Sequence, residues 1–327
     1  MKISCAGFVF LIYVLTSSFP TYGAESSKTD RRIPNEYESM GGHSLAFSNS
    51  GVAALDGLPA VRMNPGLLPL ETQYSIAGTY YWPTSGRDFY QAGIVDSSTA
   101  SVAAGISATG FSEKFNLEEQ KEMDSRAKRR FSLGIGKAFS MFSIGAEGQY
   151  VEGYVMEDGS FVLKKSPTVG VGIAGLLTKQ LRFGFSAENL SNRKVAELSP
   201  RTLRAGVAYL IMEGSVSLNF DLRERERLEF FENPEPGSRA DITQDVLIKK
   251  YKTPERMALM SFTAKIYDVL RILLSYGQTL TEDKRQTLSG GLALVHQRFS
   301  FSYSLSKPYL KYKDTQSALS LNILVSM

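Results

Sequence analysis

Short segments in which apolar and polar residues alternate recur along the chain from Tyr74 to Met327. In Leu181–Glu188, for example, Leu, Phe, Phe and Ala alternate with Arg, Gly, Ser and Glu. Successive side chains of a β-strand point to opposite faces, so each segment predicts a strand with one apolar and one polar face. We count about 14 such segments, an even number as in bacterial membrane barrels.

The connections between these segments alternate between short polar turns and long charged loops. Ala138–Met141 and His296–Arg298 are short, whereas Thr109–Arg130, Val151–Pro167 and Arg223–Glu255 are long. This alternation is typical of a barrel that crosses a membrane back and forth, with its short turns in the periplasm. The predicted fold class is all-β, a transmembrane antiparallel β-barrel formed by residues 71–327. The alternative is a soluble barrel with its apolar face inward, which the segregation of loop lengths disfavours.

Residues 1–24 have the pattern of a secretory signal peptide. Lys2 precedes the apolar stretch Ile3–Leu15, and small residues at Gly23 and Ala24 offer a cleavage site. An interfacial anchor is the alternative. A polar segment follows at residues 25–39. An exported barrel of this kind is expected in the outer membrane of a Gram-negative cell.

Composition removes several classes of function. The net charge of +4 is small for 327 residues, so no nucleic-acid partner is expected. The single cysteine, Cys5, lies in the signal segment, which leaves the mature chain without thiolate chemistry or cysteine metal ligands. The two histidines, His43 and His296, fall in the plug segment described below and in a short turn, and no catalytic arrangement is evident. We therefore predict no enzyme, no metal site and no cofactor.

The polar faces of the predicted strands consist mostly of Gly, Ala and Ser. Their charged members are Glu147, Arg182, Glu188, Arg204, Asp221, Lys265 and Arg271. A barrel of about 14 strands encloses more volume than such small side chains fill. Residues 40–70, rich in Gly, Ala and Pro, are the predicted plug segment of this lumen.

The plug segment also carries a motif. It comprises the stretch Ser50–Gly57 followed by Asn64–Leu67, and its distinctive residues are Gly51, Ala53, Asp56, Asn64, Pro65 and Gly66. This pattern resembles the N-terminal signature of the FadL/PorV superfamily of outer-membrane barrels. The resemblance implies a barrel of fourteen strands whose N-terminal region forms a plug, in agreement with the separate strand count above.

The resemblance leaves two functions open. The fatty-acid transporters of the superfamily imply the binding or passage of apolar small molecules through the lumen, with an outer groove and a lateral wall opening. The PorV-like branch implies a scaffold that binds a secreted or periplasmic protein through long outer loops. An apolar pocket touching Asn64–Leu68 would favour the first, and a filled lumen with apolar outer loops the second.

Two regions of the predicted outer side are candidates for contacts with partners. Phe230 and Phe231 form a binding patch if exposed, or pack the loop over the barrel mouth. Arg129 and Arg130 are candidates for binding lipopolysaccharide phosphates, since Arg pairs well with phosphate; a solvated helix or a cationic rim is the alternative. The aromatic run Tyr80–Trp82 is predicted to lie in the belt at the membrane interface.

Overall fold

The computed structural model describes residues 45–83, 89–111, 126–157, 160–191, 199–212, 215–229, 251–267, 269–281, 285–307 and 315–325. Within these ranges fourteen antiparallel strands close into one barrel, in which β1 pairs with both β2 and β14. The predicted fold class and strand number are confirmed. None of the helices in these ranges has the length and apolarity that a membrane crossing requires.

The strands follow the chain order around the barrel. They are β1 Tyr74–Pro83, β2 Phe89–Asp96, β3 Ala103–Phe111, β4 Arg126–Ala138, β5 Phe142–Glu157, β6 Ser160–Leu176, β7 Leu181–Glu188, β8 Thr202–Ile211, β9 Val216–Glu229, β10 Tyr251–Ile266, β11 Leu270–Thr279, β12 Gln286–Val295, β13 Phe299–Lys307 and β14 Gln316–Leu324. Residues 1–44 lie outside the described residues, so the signal peptide and the segment 25–39 stay predictions.

The two faces of the wall have opposite chemistry. On β9, Leu218, Phe220 and Leu222 point outward and are exposed, whereas Asn219 and Asp221 point inward and are buried. The same alternation runs around the barrel and leaves an apolar outer surface. A soluble protein rarely exposes so much apolar surface, so this face is the one that contacts lipid.

The aromatic run at the end of β1 divides between the two faces. Tyr80 and Trp82 point outward, with ring centroids 5.6 Å apart, and Tyr303 lies 6.2 Å from Trp82. They form part of the predicted interface belt. Tyr81 does not, because the strand pleat turns it inward; it is buried and stacks on Phe89 at 4.3 Å.

The strands of the barrel differ in length, and parts of three segments predicted as loops belong to long strands. β5 and β6 have 16 and 17 residues, whereas β7 between β6 and β8 has 8. Much of Val151–Pro167 is therefore a hairpin of β5 and β6, and β4, β9 and β10 likewise extend into the predicted loops. The alternation signal fades there because both faces of a strand meet water once it rises above the lipid.

Arg129 and Arg130 belong to β4 rather than to an outer loop, which corrects their predicted position. The pleat separates them: Arg129 is exposed, and Arg130 points into the lumen and is buried. Phe230 and Phe231 lie outside the described residues.

The described part of the plug segment lies inside the barrel. It contains the short helix α1 (Ala60–Met63) and a 3₁₀ helix, Pro65–Leu70. Val61 and Met63 are fully buried in one apolar cluster with inward residues such as Val95 and Leu273 of the wall. The hydrophobic core of the molecule therefore lies between the plug segment and the wall.

Candidate functional site

Asn64 connects the plug segment to itself and to the wall. Its side-chain amide donates to the carbonyl of Val52 at 2.7 Å and to that of Ile173 on β6 at 3.0 Å. Its Oδ1 accepts from the backbone N–H of Gly66 at 3.0 Å. One fully buried side chain thus satisfies three backbone groups in separate parts of the lumen, which explains why the motif has asparagine at this position.

Asp221 holds the plug backbone at Gly51 and Val52. Its carboxylate accepts from the backbone N–H groups of Gly51 and of Val52, the latter at 3.0 Å. Gly51 has φ of +99°, a conformation that favours glycine. Asp221 was predicted as a lumenal charge, and the structure places it in the lumen as a partner of the plug backbone.

Glycines on the inner wall let the plug backbone approach closely. A β-carbon on Gly145 would lie 2.6 Å from the backbone nitrogen of Gly66, and one on Gly184 would overlap the carbonyl of Val52. A β-carbon on Gly172 would overlap the side chain of Asn64. The small inward residues read from the sequence therefore leave space that the plug segment fills.

Serine hydroxyl groups add further hydrogen bonds between the plug segment and the wall. The hydroxyl of Ser48 lies 2.8 Å from that of Ser275 on β11 and 2.7 Å from that of Ser289 on β12. Ser143 of β5 donates to the carbonyl of Gly66. The plug segment is thus bonded to walls on both sides of the lumen.

Three of the predicted lumenal charges meet around Arg62 of α1. Glu188 and Arg204 form a buried ion pair, and Glu147 acts on Arg62 together with Glu188. Burial lowers the pKa of Arg62 to about 10, with Arg130 adding to the effect, so the guanidinium stays protonated at neutral pH. This side of the lumen is closed by paired charges.

The remaining predicted charges lie nearer the short turns. Arg182 makes an ion pair with Glu71 at 3.7 Å, just after the 3₁₀ helix. Arg271 lies in register with Lys265 on the neighbouring strand and lines a cavity. The predicted lumenal charges thus have different positions. Asp221 bonds the plug backbone and Arg182 pairs with the residue after the plug segment, Glu147, Glu188 and Arg204 form a charged layer, and Arg271 lines a cavity. Lys265 lies in register with Arg271 and does not line that cavity.

A cavity of about 450 Å³ lies between the plug segment and the wall formed by β1, β2 and the strands from β11 to β14. The plug contributes Asp56, Leu58 and Pro59, and Glu71 follows from the end of the segment. The wall residues that carry a hydroxyl or an amide include Thr79, Gln91, Ser300, Ser302, Ser320 and Asn322. The cavity does not touch residues 64–68, which pack on the glycines of β5 and β6, so it is not the pocket at Asn64–Leu68 that would favour a channel over a scaffold.

An apolar cluster lies on the same strip of wall, toward the long loops. It consists of Leu45 from the plug segment with Tyr81, Phe89 and Ala318. On β1 the inward residues run from Tyr81 to Thr79 toward the short turns, and on β14 from Ala318 to Ser320. Cluster and cavity therefore form a continuous strip that changes from apolar to polar.

This strip was not predicted from the sequence, because each of its strands taken alone has a common pattern of residues. The available signal was the run of inward Ser and Thr on β13, β14 and β1, which unlike other parts of the lumenal face contains few glycines. Few glycines mean that the plug backbone does not approach closely there, and a cavity remains.

Glu71 and Asp56 make the attachment of the plug segment dependent on pH. The Asp56 carboxylate, with burial, raises the pKa of Glu71 from 4.5 to about 8, against the opposing effect of Arg182 and Arg271. Between pH 4.5 and about 8, Glu71 is therefore protonated in the folded state and ionised in the unfolded state. The free energy of unfolding falls as pH rises through this range. We expect more leakage of a small polar dye at about pH 9 than at about pH 6.

The Glu71→Gln variant is the control for this prediction. It keeps a neutral hydrogen-bonding side chain, so its leakage should not change with pH. Equal pH dependence in both proteins would contradict the role given to Glu71.

Neither a protein-family model nor a curated relative matches the chain. Among solved structures, the fold is that of outer-membrane barrels, as the resemblance to the FadL/PorV superfamily predicted. CymD, a monoaromatic hydrocarbon channel, matches with a TM-score of 0.63 at 12% identity, covering 88% of this chain and 98% of that one. The deltaS2S3 mutant of TodX, also described as a monoaromatic hydrocarbon channel, matches with a TM-score of 0.56 at 12% identity, covering 88% of this chain and 98% of that one.

Proposed function

We propose that this protein is an outer-membrane channel for apolar small molecules, closed at rest by its plug segment. The observation that carries the proposal is the strip that joins the apolar cluster to the cavity along β1 and β14. Along this strip a cavity separates the plug segment from the wall.

The proposed route begins at the outer end of the strip. A solute that displaces Leu45 reaches Tyr81 and Phe89, whose rings provide apolar and aromatic contact surface. It then enters the cavity and leaves at the short-turn end, near Tyr74 and Leu324. Because Leu45 covers the entrance, passage requires movement of this part of the plug segment.

The fold of this chain is shared with two proteins described as monoaromatic hydrocarbon channels, which supports an apolar solute. The solute class, whether aromatic or fatty-acid-like, is part of the proposal. We infer a location in the Gram-negative outer membrane from the lipid-facing surface and the predicted signal peptide.

The test is uptake of a labelled monoaromatic hydrocarbon and of a labelled long-chain fatty acid. The cells should lack their own transporters and express this chain, with folding checked by heat-modifiable gel migration. Uptake of either probe above the empty control is expected. A folded barrel that takes up neither would contradict the proposal.

A scaffold that binds a secreted or periplasmic protein is the second candidate. It is favoured by the tall hairpin of β5 and β6, on which Val162 and Leu163 are exposed above the membrane belt. Deleting this hairpin's upper part should abolish capture of a partner and leave uptake intact if the scaffold function is present. Loss of uptake with no captured partner would assign the hairpin to the channel instead.

A further inference from the structure

The cavity on the β1–β14 strip is more polar than the passage of a pure hydrocarbon requires. Ala77, Val295 and Leu324 give it apolar surface, but its wall also carries the hydroxyl and amide side chains described above. Thr79 and Ser320 bond each other, with their oxygens 2.8 Å apart. Gln91 and Ser302 line the same cavity, and only 3% and 8% of their surfaces are exposed.

Ionisable groups also border this cavity. Glu71 lies 3.7 Å from Arg182, and Arg271 also acts on Glu71, while Asp56 lies beside it. Because Asp56 and burial raise the pKa of Glu71 to about 8, this carboxyl group is mostly protonated at neutral pH. A protonated carboxyl group both donates and accepts hydrogen bonds, so it can bond an uncharged polar group of a solute.

We propose that the cavity binds solutes that combine an apolar body with an uncharged hydroxyl group, and that it prefers them to the corresponding hydrocarbons. The inference rests on the proposed channel function and names its solute class. The hydroxyl group replaces water against the amide of Gln91 and the hydroxyl of Ser302, while the body contacts Ala77 and Leu58.

The preference follows from the cost of removing water from a polar wall. A hydrocarbon that enters displaces water from Gln91 and Ser302 without replacing its hydrogen bonds. A site built to bond a hydroxyl rejects the analogue that lacks it more strongly than an apolar pocket rejects an added hydroxyl. The apolar cluster at the entrance accepts the bodies of both molecules, so discrimination arises in the cavity.

The experiment compares 1-naphthol with naphthalene, which share one ring system and differ by the hydroxyl group. Binding to the full-length folded barrel in nanodiscs is measured by equilibrium dialysis, with empty nanodiscs to subtract partition into lipid. We expect about tenfold tighter binding of 1-naphthol. The Gln91→Leu variant, or Ser302→Ala if that variant does not fold, should lose most of this preference.

The matched control is Gln149→Leu, the same change at another buried inward glutamine, on β5 and away from the cavity. It should keep the preference. Equal binding of the two probes by the wild type, or loss of the preference in Gln149→Leu, would overturn the proposed site. Retained cellular uptake of apolar probes in that case would leave the channel function standing, whereas absence of both binding and uptake would reject both.

Discussion

The Gly145→Val variant should form a barrel that leaks small polar molecules. Gly145 lies on β5 against the backbone of Pro65 and Gly66, with no side chain able to move away. A valine there cannot be accommodated by a rotamer change, because the atoms it meets are main-chain atoms. Overpacking of this kind costs about 1–3 kcal/mol or more, and the plug segment is the element that can shift.

Gly148→Val on the same strand is the control. A β-carbon on Gly148 meets nothing within 4 Å, so this variant should stay closed. The measurement is the conductance of the purified barrel in planar bilayers, with heat-modifiable migration to show that the wall is intact. Equal, low conductance of both variants would show that contact with Gly145 does not hold the plug segment in place.

The Ser320→Trp variant should block uptake of an apolar probe. Ser320 points into the cavity beside Thr79, and an indole there would occupy much of the space between wall and plug segment. When the indole fills the cavity, a solute has no contacts along the middle of the route. We expect uptake to fall by about tenfold or more, toward the level of cells without the barrel.

Leu319→Trp gives the matched control, because Leu319 is the adjacent residue and points to the lipid-facing side. It introduces the same side chain into the same strand without entering the lumen. Its uptake should stay near that of the wild type. Similar uptake by both variants, with both folded, would place the route elsewhere in the lumen.

The barrel could be predicted from sequence because its signal is local. The period of two within each strand and the alternating lengths of the connections require no knowledge of distant contacts. The outer parts of β5 and β9 could not be predicted in this way, because water on both faces removes the alternation. Arg130 was misplaced because the basic run at the start of β4 shows no alternation of apolar and polar residues, although Arg130 itself is buried in the lumen.

The candidate site was harder to predict because it depends on long-range contacts. The sequence singles out Asn64 and Asp221, but not that one bonds the carbonyl of Ile173 and the other the backbone of Gly51. Nor does any one strand show that β13, β14 and β1 close into a common cavity wall. Those relations appear only when strands far apart in sequence become neighbours.

The central claim, that solute passes only when the plug segment moves, is tested most directly by a disulfide that fixes this segment. Ser48→Cys with Ser275→Cys joins the plug segment to β11, since the two serine oxygens lie 2.8 Å apart. Asn219→Cys with Ser261→Cys joins β9 to β10 and leaves the plug segment free, since the amide nitrogen of Asn219 lies 3.0 Å from the hydroxyl oxygen of Ser261.

Uptake of a labelled apolar probe is then measured under oxidising conditions and again after reduction. We expect the oxidised plug-to-wall bridge to abolish uptake, reduction to restore it, and the wall-to-wall bridge to have no effect. Full uptake by a barrel whose plug-to-wall bridge is verified by mass spectrometry would show that solute passes without movement of the plug segment.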